Sequence, residues 1–180
     1  MKNNFEQSLT NLLGSEGGYQ DDPRDSGNHL FDGRKGCTNW GVTQSAWEAY
    51  VGHKVSNADM RNLTREKISD FYRKKYWDVC QCDALPTAID YLVFDFAVNS
   101  GPGTAIKRLQ ESVNCTPDGI VGPRTLQYIN SFNTTDLIDK YSSAKEIYYK
   151  GLKSFPTFGK GWLNRIEEVK TIALKMIREN

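Results

Sequence analysis

Apolar residues recur along the chain at the three-and-four spacing of amphipathic helices, with Gly, Pro, Asp, Ser and Thr at the breaks. Phe5, Leu9, Leu12 and Leu13 predict a helix over residues 4 to 15 that stops at Gly17-Gly18, which sets Glu16 at its C-terminal end. Thr43 reads as the N-cap of a helix with Ala46, Trp47 and Tyr50. Ser56 or Asn57 caps a short turn holding Met60 and Leu63, and Thr64 opens a longer helix with Ile68, Phe71, Tyr72 and Tyr76 on one stripe.

Pro86 starts a helix from Thr87 to about Ser100 that is apolar nearly all round, through Ile89, Leu92, Val93, Phe94, Phe96, Ala97 and Val98. A helix without a polar face belongs in a core, and Gly101-Pro102-Gly103 closes this one. Helical spacing resumes from Thr104 through Ile106, Leu109 and Val113, and the turn Asp118 to Pro123 starts a helix over Thr125, Leu126 and Ile129. Thr134 or Thr135 caps a helix with Leu137, Ile138, Tyr141, Ala144 and Ile147, and Trp162, Ile166, Val169, Ala173 and Met176 mark a C-terminal helix. The exception to this pattern is residues 16 to 43, where Leu30-Phe31 and Lys35 to Thr38 flank Asp32-Gly33, a hairpin signal. The pattern therefore predicts a mainly α fold with one small β-hairpin, without a linker or an internal repeat.

Composition narrows the class. With 180 residues, 38% of them hydrophobic, and a mean hydropathy of −0.60, the chain reads as a soluble globular protein of one domain or two lobes. Lys and Arg number 11 against 13 Asp and Glu in residues 1 to 90, and 12 against 9 in residues 91 to 180, a bias too slight to support nucleic-acid binding. The start of the chain, Met1 to Ser8, lacks an apolar h-region, and no apolar run reaches the roughly 18 residues of a spanning helix. The expectation is synthesis in the cytoplasm without a signal peptide and no stable membrane insertion. Cys80 and Cys82 stand closer than a zinc knuckle or a mutual disulfide favours, so Cys37, Cys80, Cys82 and Cys115 are expected as buried free thiols, without a metal.

Residues 16 to 43 also hold the candidate chemistry. Hydrolysis of a glycosidic bond needs a carboxylic acid still protonated near neutral pH and a second group that handles water. Glu16, desolvated at a helix end, suits the first task. Asp25, in a polar turn, suits the second, with the Thr38 hydroxyl orienting a water beside it. On the residues alone, Glu16 also reads as a plain helix end, Asp22-Pro23 and Asp25-Ser26-Gly27 as turn formers, and Thr38 as a strand residue. Tyr19, Trp40 and Gln44 either line a sugar-binding cleft or pack, and Asn99 either faces the cleft or caps its helix. His29 and His53 read as exposed, which leaves a nucleophilic triad without support.

Three blocks, Glu16-Gly17-Gly18-Tyr19, Asp22-Pro23-Arg24-Asp25-Ser26-Gly27 and Gly36-Cys37-Thr38-Asn39-Trp40-Gly41-Val42-Thr43, resemble the signature of the phage-type muramidases of glycoside hydrolase family 108, found in endolysins and prophage-encoded relatives. The family pattern joins the blocks almost directly, whereas here Asn28 to Lys35 stands inserted. The spacing of nine between Glu16 and Asp25 also resembles that of the phage lysozymes of glycoside hydrolase family 24, whose Glu, Asp and Thr act together. Further along, Asp95-Phe96-Ala97-Val98-Asn99-Ser100-Gly101, Leu109-Gln110, Asp118 to Thr125 and Gly159 to Arg165 resemble the C-terminal half of those enzymes, often described as a predicted peptidoglycan-binding region.

This resemblance implies a lysozyme-like fold with the hairpin next to the active site, Glu16 as general acid and Asp25 and Thr38 as its partners. It implies an N-acetylmuramidase that cuts the β-1,4 bond between N-acetylmuramic acid and N-acetylglucosamine, uses no cofactor, has peptidoglycan as partner, and acts as a monomer in the periplasm or cell wall after release. A lytic transglycosylase and a catalytically silent wall-binding module are the alternatives. The expected division is a muramidase region over 1–92 and a peptidoglycan-binding-like region over 93–180, packed into one domain around the apolar helix.

Overall fold

In a computed structural model of the protein, residues 4–14 and 18–179 are described. Glu16, the residue expected to be the general acid, lies outside the described residues. Helix α1 covers Phe5–Leu13, and after a loop the antiparallel strands β1 (Thr38–Asn39) and β2 (Val42–Thr43) form a two-stranded ribbon. Then come α2 (Gln44–Val51), α3 (Asn57–Arg61), α4 (Arg65–Tyr72), α5 (Ile89–Ser100), α6 (Pro102–Ser112), α7 (Pro123–Asn130), α8 (Thr134–Lys150) and α9 (Phe155–Arg178). The fold is mainly α-helical and lysozyme-like, as expected. No described helix is long and apolar enough to cross a membrane.

The chain divides into two compact units, Leu9–Arg73 in one and Met1–Ser8 with Lys74–Asn180 in the other. The division expected at 92/93 would cut between Leu92 and Val93, inside the continuous helix α5.

Local chemistry accounts for most helix starts. The Thr43 hydroxyl accepts from the Ala46 N–H at 3.3 Å, Thr64 caps α4 in the same way, and Ser56 forms a reciprocal capping box with Asp59. At α8 the cap is Asn133, whose side chain accepts from the N–H groups of Thr135 and Asp136, instead of the Thr134 or Thr135 expected. Helix α9 starts at Phe155, about two turns before Trp162, with Pro156 in its first turn.

In the larger unit every residue of α5 from Ile89 to Ala97 is buried, and α6, α8 and α9 pack around it. Phe5, Trp77 and Phe94 meet edge to face at centroid distances of 5.3 to 5.9 Å, a geometry worth roughly 0.5–1.5 kcal/mol per pair beyond burial. A buried ionic cluster in this core centres on Asp95 of α5, 0% exposed. Asp95 is paired with Lys145 of α8 and receives two bonds from the Arg165 guanidinium of α9, at 2.6 and 3.0 Å. Gln110 is also buried and closes the 118–125 turn. Its amide donates to Asp118 Oδ1, the Ile120 carbonyl and Thr125 Oγ1 at 2.7, 3.0 and 3.0 Å, and its oxygen accepts from the Gly119 N–H at 2.9 Å. The 95–101, 109–110, 118–125 and 159–165 motifs thus contain the residues that tie this unit together. All four cysteines are buried free thiols.

The hairpin is not where Asp32-Gly33 predicted it. Its turn is Trp40-Gly41, with φ of 53° and 74°, the positive values that a two-residue type I′ connection requires. Trp40 is an unusual residue for that conformation. It is held there by its indole N–H, which donates to the Leu63 carbonyl at 3.1 Å, and by its carbonyl, which accepts from the Tyr72 hydroxyl at 3.1 Å. At Asp32-Gly33 the chain does reverse, with one antiparallel bridge between His29 and Lys35 and cross-loop bonds from the Leu30 N–H to the Arg34 carbonyl at 3.2 Å and the Gly36 N–H to the Asn28 carbonyl at 2.7 Å, but no strands extend from it.

Candidate active site

The loop between α1 and β1 is folded by short polar contacts. Gln20 and Thr38 exchange both backbone hydrogen bonds at 2.8 Å, an isolated antiparallel bridge that sets the loop against β1. Asp25 caps a single 3-10 turn, Ser26–Asn28, by accepting from the Gly27 N–H at 2.8 Å. His29 is exposed, and its Nε2 donates to the Pro23 carbonyl at 2.8 Å. Arg24 makes a fork on Asp22 with contacts of 2.7 to 3.2 Å, and this guanidinium holds the Asp22 carboxyl below its ordinary range.

The structure joins two of the three residues expected to be catalytic. The Thr38 hydroxyl donates to Asn28 Oδ1 at 3.0 Å, Asn28 Nδ2 donates to Gln20 Oε1 at 2.7 Å, and Gln20 Nε2 donates to Asp25 Oδ2 at 2.7 Å. Asp25 and Thr38 are thus the ends of one hydrogen-bonded chain whose middle is two amides. Asp25 is exposed, Thr38 half-buried and Asn28 buried, so the chain runs from the surface into the loop. Sequence reasoning missed Gln20 and Asn28. The signal for Asn28 was hidden because it opens the apparent insertion, and nothing local distinguishes Gln20.

The residues expected to bind sugar divide differently. Tyr19 is half-buried, one face of its ring is covered by the Arg61 guanidinium at 4.3 Å, and burial followed by the nearby Cys37 thiol raises its phenol pKa. Trp40 is partly exposed beside Thr38, with its indole N–H already bonded. Gln44 is corrected outright, because it is 1% exposed and its amide donates to the Val55 carbonyl at 2.8 Å and to Glu48 at 3.2 Å, while its oxygen faces the Cys37 thiol. It knits the loop together and is not available to a ligand. Asn99 belongs to the other unit and is exposed. Its amide donates to the Asp95 carbonyl one turn back at 2.7 Å, and Gly101 takes the C-cap position, as the closing Gly101-Pro102-Gly103 predicted.

The inserted segment is fastened by charge. Arg34 pairs with Asp32 and with Glu48 of α2, each at 2.8 Å, and Lys54 adds a second cation to Asp32 at 2.8 Å. Arg34 pulls the Glu48 carboxyl down to about 2, and Lys54 with Arg34 holds the Asp32 carboxyl well below its ordinary range. Among the described residues no group of three His, Cys, Asp or Glu side chains is placed to hold a metal ion. A separate hollow of about 500 Å³ in the same unit is walled by Trp47, Tyr50, Lys54, Asn62, Lys67 and Asp70 among others, and none of the chain from Thr38 to Asp25 lines it.

Residues 9–101 match the family model described as Glycosyl hydrolase 108, and residues 104–167 match the one described as Predicted Peptidoglycan domain. Among solved structures, the SagA protein of Brucella abortus is 37% identical, covering 98% of this chain and 97% of its own, with a TM-score of 0.84. No curated protein matches.

Proposed function

The chain belongs to glycosyl hydrolase family 108 and is a peptidoglycan hydrolase, and on that premise we propose that it is an N-acetylmuramidase of the phage endolysin type. It cuts the β-1,4 bond between N-acetylmuramic acid and N-acetylglucosamine. Glu16 gives its proton to the glycosidic oxygen as the bond from that oxygen to the anomeric carbon breaks. Water bonds to the anomeric carbon and its proton passes to Asp25, while Thr38 holds the same water. The observation that supports this assignment is the continuous hydrogen-bonded chain from Thr38 to Asp25, nine residues after Glu16. A carboxylate and a hydroxyl linked in this way serve water handling better than either does as a lone turn or strand residue.

The test is digestion of purified peptidoglycan by wild type and Glu16→Gln, with the released ends identified by mass spectrometry. Reducing muramic acid ends that vanish in the variant are expected. Anhydro ends would point to transglycosylation instead, and no release by the wild type would leave only wall binding. Asp25→Asn and Thr38→Ala are expected to lower kcat by roughly 100-fold or more and roughly 10-fold respectively, with smaller changes in KM. The proposed place of action is the periplasm or cell wall, reached by release from the cytoplasm, and fractionation of producing cells before and after lysis checks it.

A further inference from the structure

We infer that Gln20 and Asn28 are positioning residues that fix the direction of every hydrogen bond between Asp25 and Thr38, so that Thr38 meets the attacking water only as an acceptor. The inference rests on the reading of Asp25 and Thr38 as the water-handling pair.

The backbone of Asp22 sets both amides. Its carbonyl can only accept, so the Asn28 atom 3.0 Å from it is the NH2 group. Its N–H can only donate, so the Gln20 atom 3.0 Å from it is the carbonyl oxygen. Neither amide can turn over without placing donor against donor or acceptor against acceptor at Asp22. With both orientations set, the remaining bonds follow in one direction. Asn28 donates to Gln20 at 2.7 Å, Gln20 donates to Asp25 at 2.7 Å, and the Asn28 atom left facing Thr38 is an oxygen. The Thr38 hydroxyl has a single proton, and that proton is committed to Asn28 at 3.0 Å.

Thr38 therefore offers an incoming water lone pairs alone. Asp25 also offers only lone pairs, with one oxygen already receiving Gln20 and the other the Gly27 N–H. A water held by both gives one hydrogen to each and keeps its own lone pair free, which is the orientation needed to attack a carbon. A hydroxyl free to rotate would spend part of its time donating to that water and tying up the lone pair. The two amides remove that alternative before substrate arrives.

The test compares two substitutions at Gln20, which is only half-buried. Gln20→Glu is isosteric and keeps the acceptor for the Asp22 N–H, but sets a second carboxylate oxygen against Asp25. Gln20→Ala removes the side chain and lets water donate to Asp25 in its place. If the relay is directional, Gln20→Glu loses more kcat than Gln20→Ala, about tenfold or more against a few-fold, with KM within about twofold of wild type in both. A residue that merely spaces the loop would show the opposite order, because the isosteric change would be the milder one, and that result overturns the inference. Asp25→Asn in the same assay separates the levels of the argument. Full activity in that variant defeats the water-handling reading and this inference with it, whereas a dead Asp25→Asn beside an unimpaired Gln20→Glu defeats the relay alone. Should Gln20→Glu fail to fold, NMR of the wild type decides. The side-chain amide protons of Gln20 and Asn28 are expected to exchange slowly with solvent, and exchange as fast as that of a free amide would overturn the relay.

Discussion

Gly27 is tightly enclosed, because a Cβ there would lie 3.0 Å from the Thr43 methyl and 3.2 Å from Asp25 Oδ1. Gly27→Ala is therefore expected to push Asp25 off its cap, costing about 1–3 kcal/mol in chemical unfolding and a larger proportional loss in peptidoglycan clearing. Asp95→Asn carries a heavier cost, since it leaves Lys145, 3% exposed, without its counter-charge; about 3–5 kcal/mol is expected from urea unfolding. Asp90 acts in the opposite sense from a paired acid. Burial raises its carboxyl to about 6 despite the Asn4 amide at 2.8 Å, so the folded state holds a proton that the unfolded chain has already lost. Its contribution is complete below about pH 4 and disappears as the pH rises through about 6, and Asp90→Asn should flatten that slope in urea melts from pH 4 to 7. Among individual residues, Asp25 and Thr38 stood out in the sequence by motif spacing, whereas the two amides that link them did not. Gln44 misled because an amide that looks ready for a sugar is equally ready for a backbone carbonyl, and burial alone decides between them.

At the level of elements, the 28–35 segment is a braced reversal held by one antiparallel bridge, without paired strands. Paired strands formed at Trp40-Gly41, whose flanks bury Asn39 and Val42, while at Asp32-Gly33 Leu30 is buried but Phe31 is fully exposed and the pairing stops at one bridge. Phe31→Ser is accordingly expected to leave the melting temperature within about a degree of wild type, as surface changes away from specific contacts do. Arg34→Ala should free the segment, since it removes the ties to Asp32 and to Glu48 of α2. Glu48, depressed to about 2 from an ordinary 4.5, contributes stability above its ordinary value that is lost as the pH falls toward 2. Acid unfolding of Arg34→Ala should lack most of that dependence, and an NMR titration should find Glu48 back near its ordinary range. The caps at Thr43, Ser56 and Thr64 were readable because an N-cap is a contact within three residues. Asn133 was passed over because two threonines with the same capacity follow it directly.

For the molecule as a whole, the family match that ends at residue 101 invites truncation there, at the junction of α5 and α6. Residues 1–101 alone are expected not to fold cooperatively, because nine consecutive buried residues of α5 would lose α6, α8 and α9. Near-UV circular dichroism without aromatic signal would show this. The so-called binding region is thus also what covers the central helix. By itself the sequence determined the helices, the buried standing of the 89–97 run and the membership of the family, since periodicity, capping and motif order are properties of neighbours along the chain. Only the tertiary structure decided which turn became the hairpin, that Gln44 would be sealed inside, and that Gln20 would be bridged to Thr38, eighteen residues away. Those outcomes depend on which groups can be buried with all their hydrogen bonds met, a balance struck across the fold that no local stretch of residues can settle.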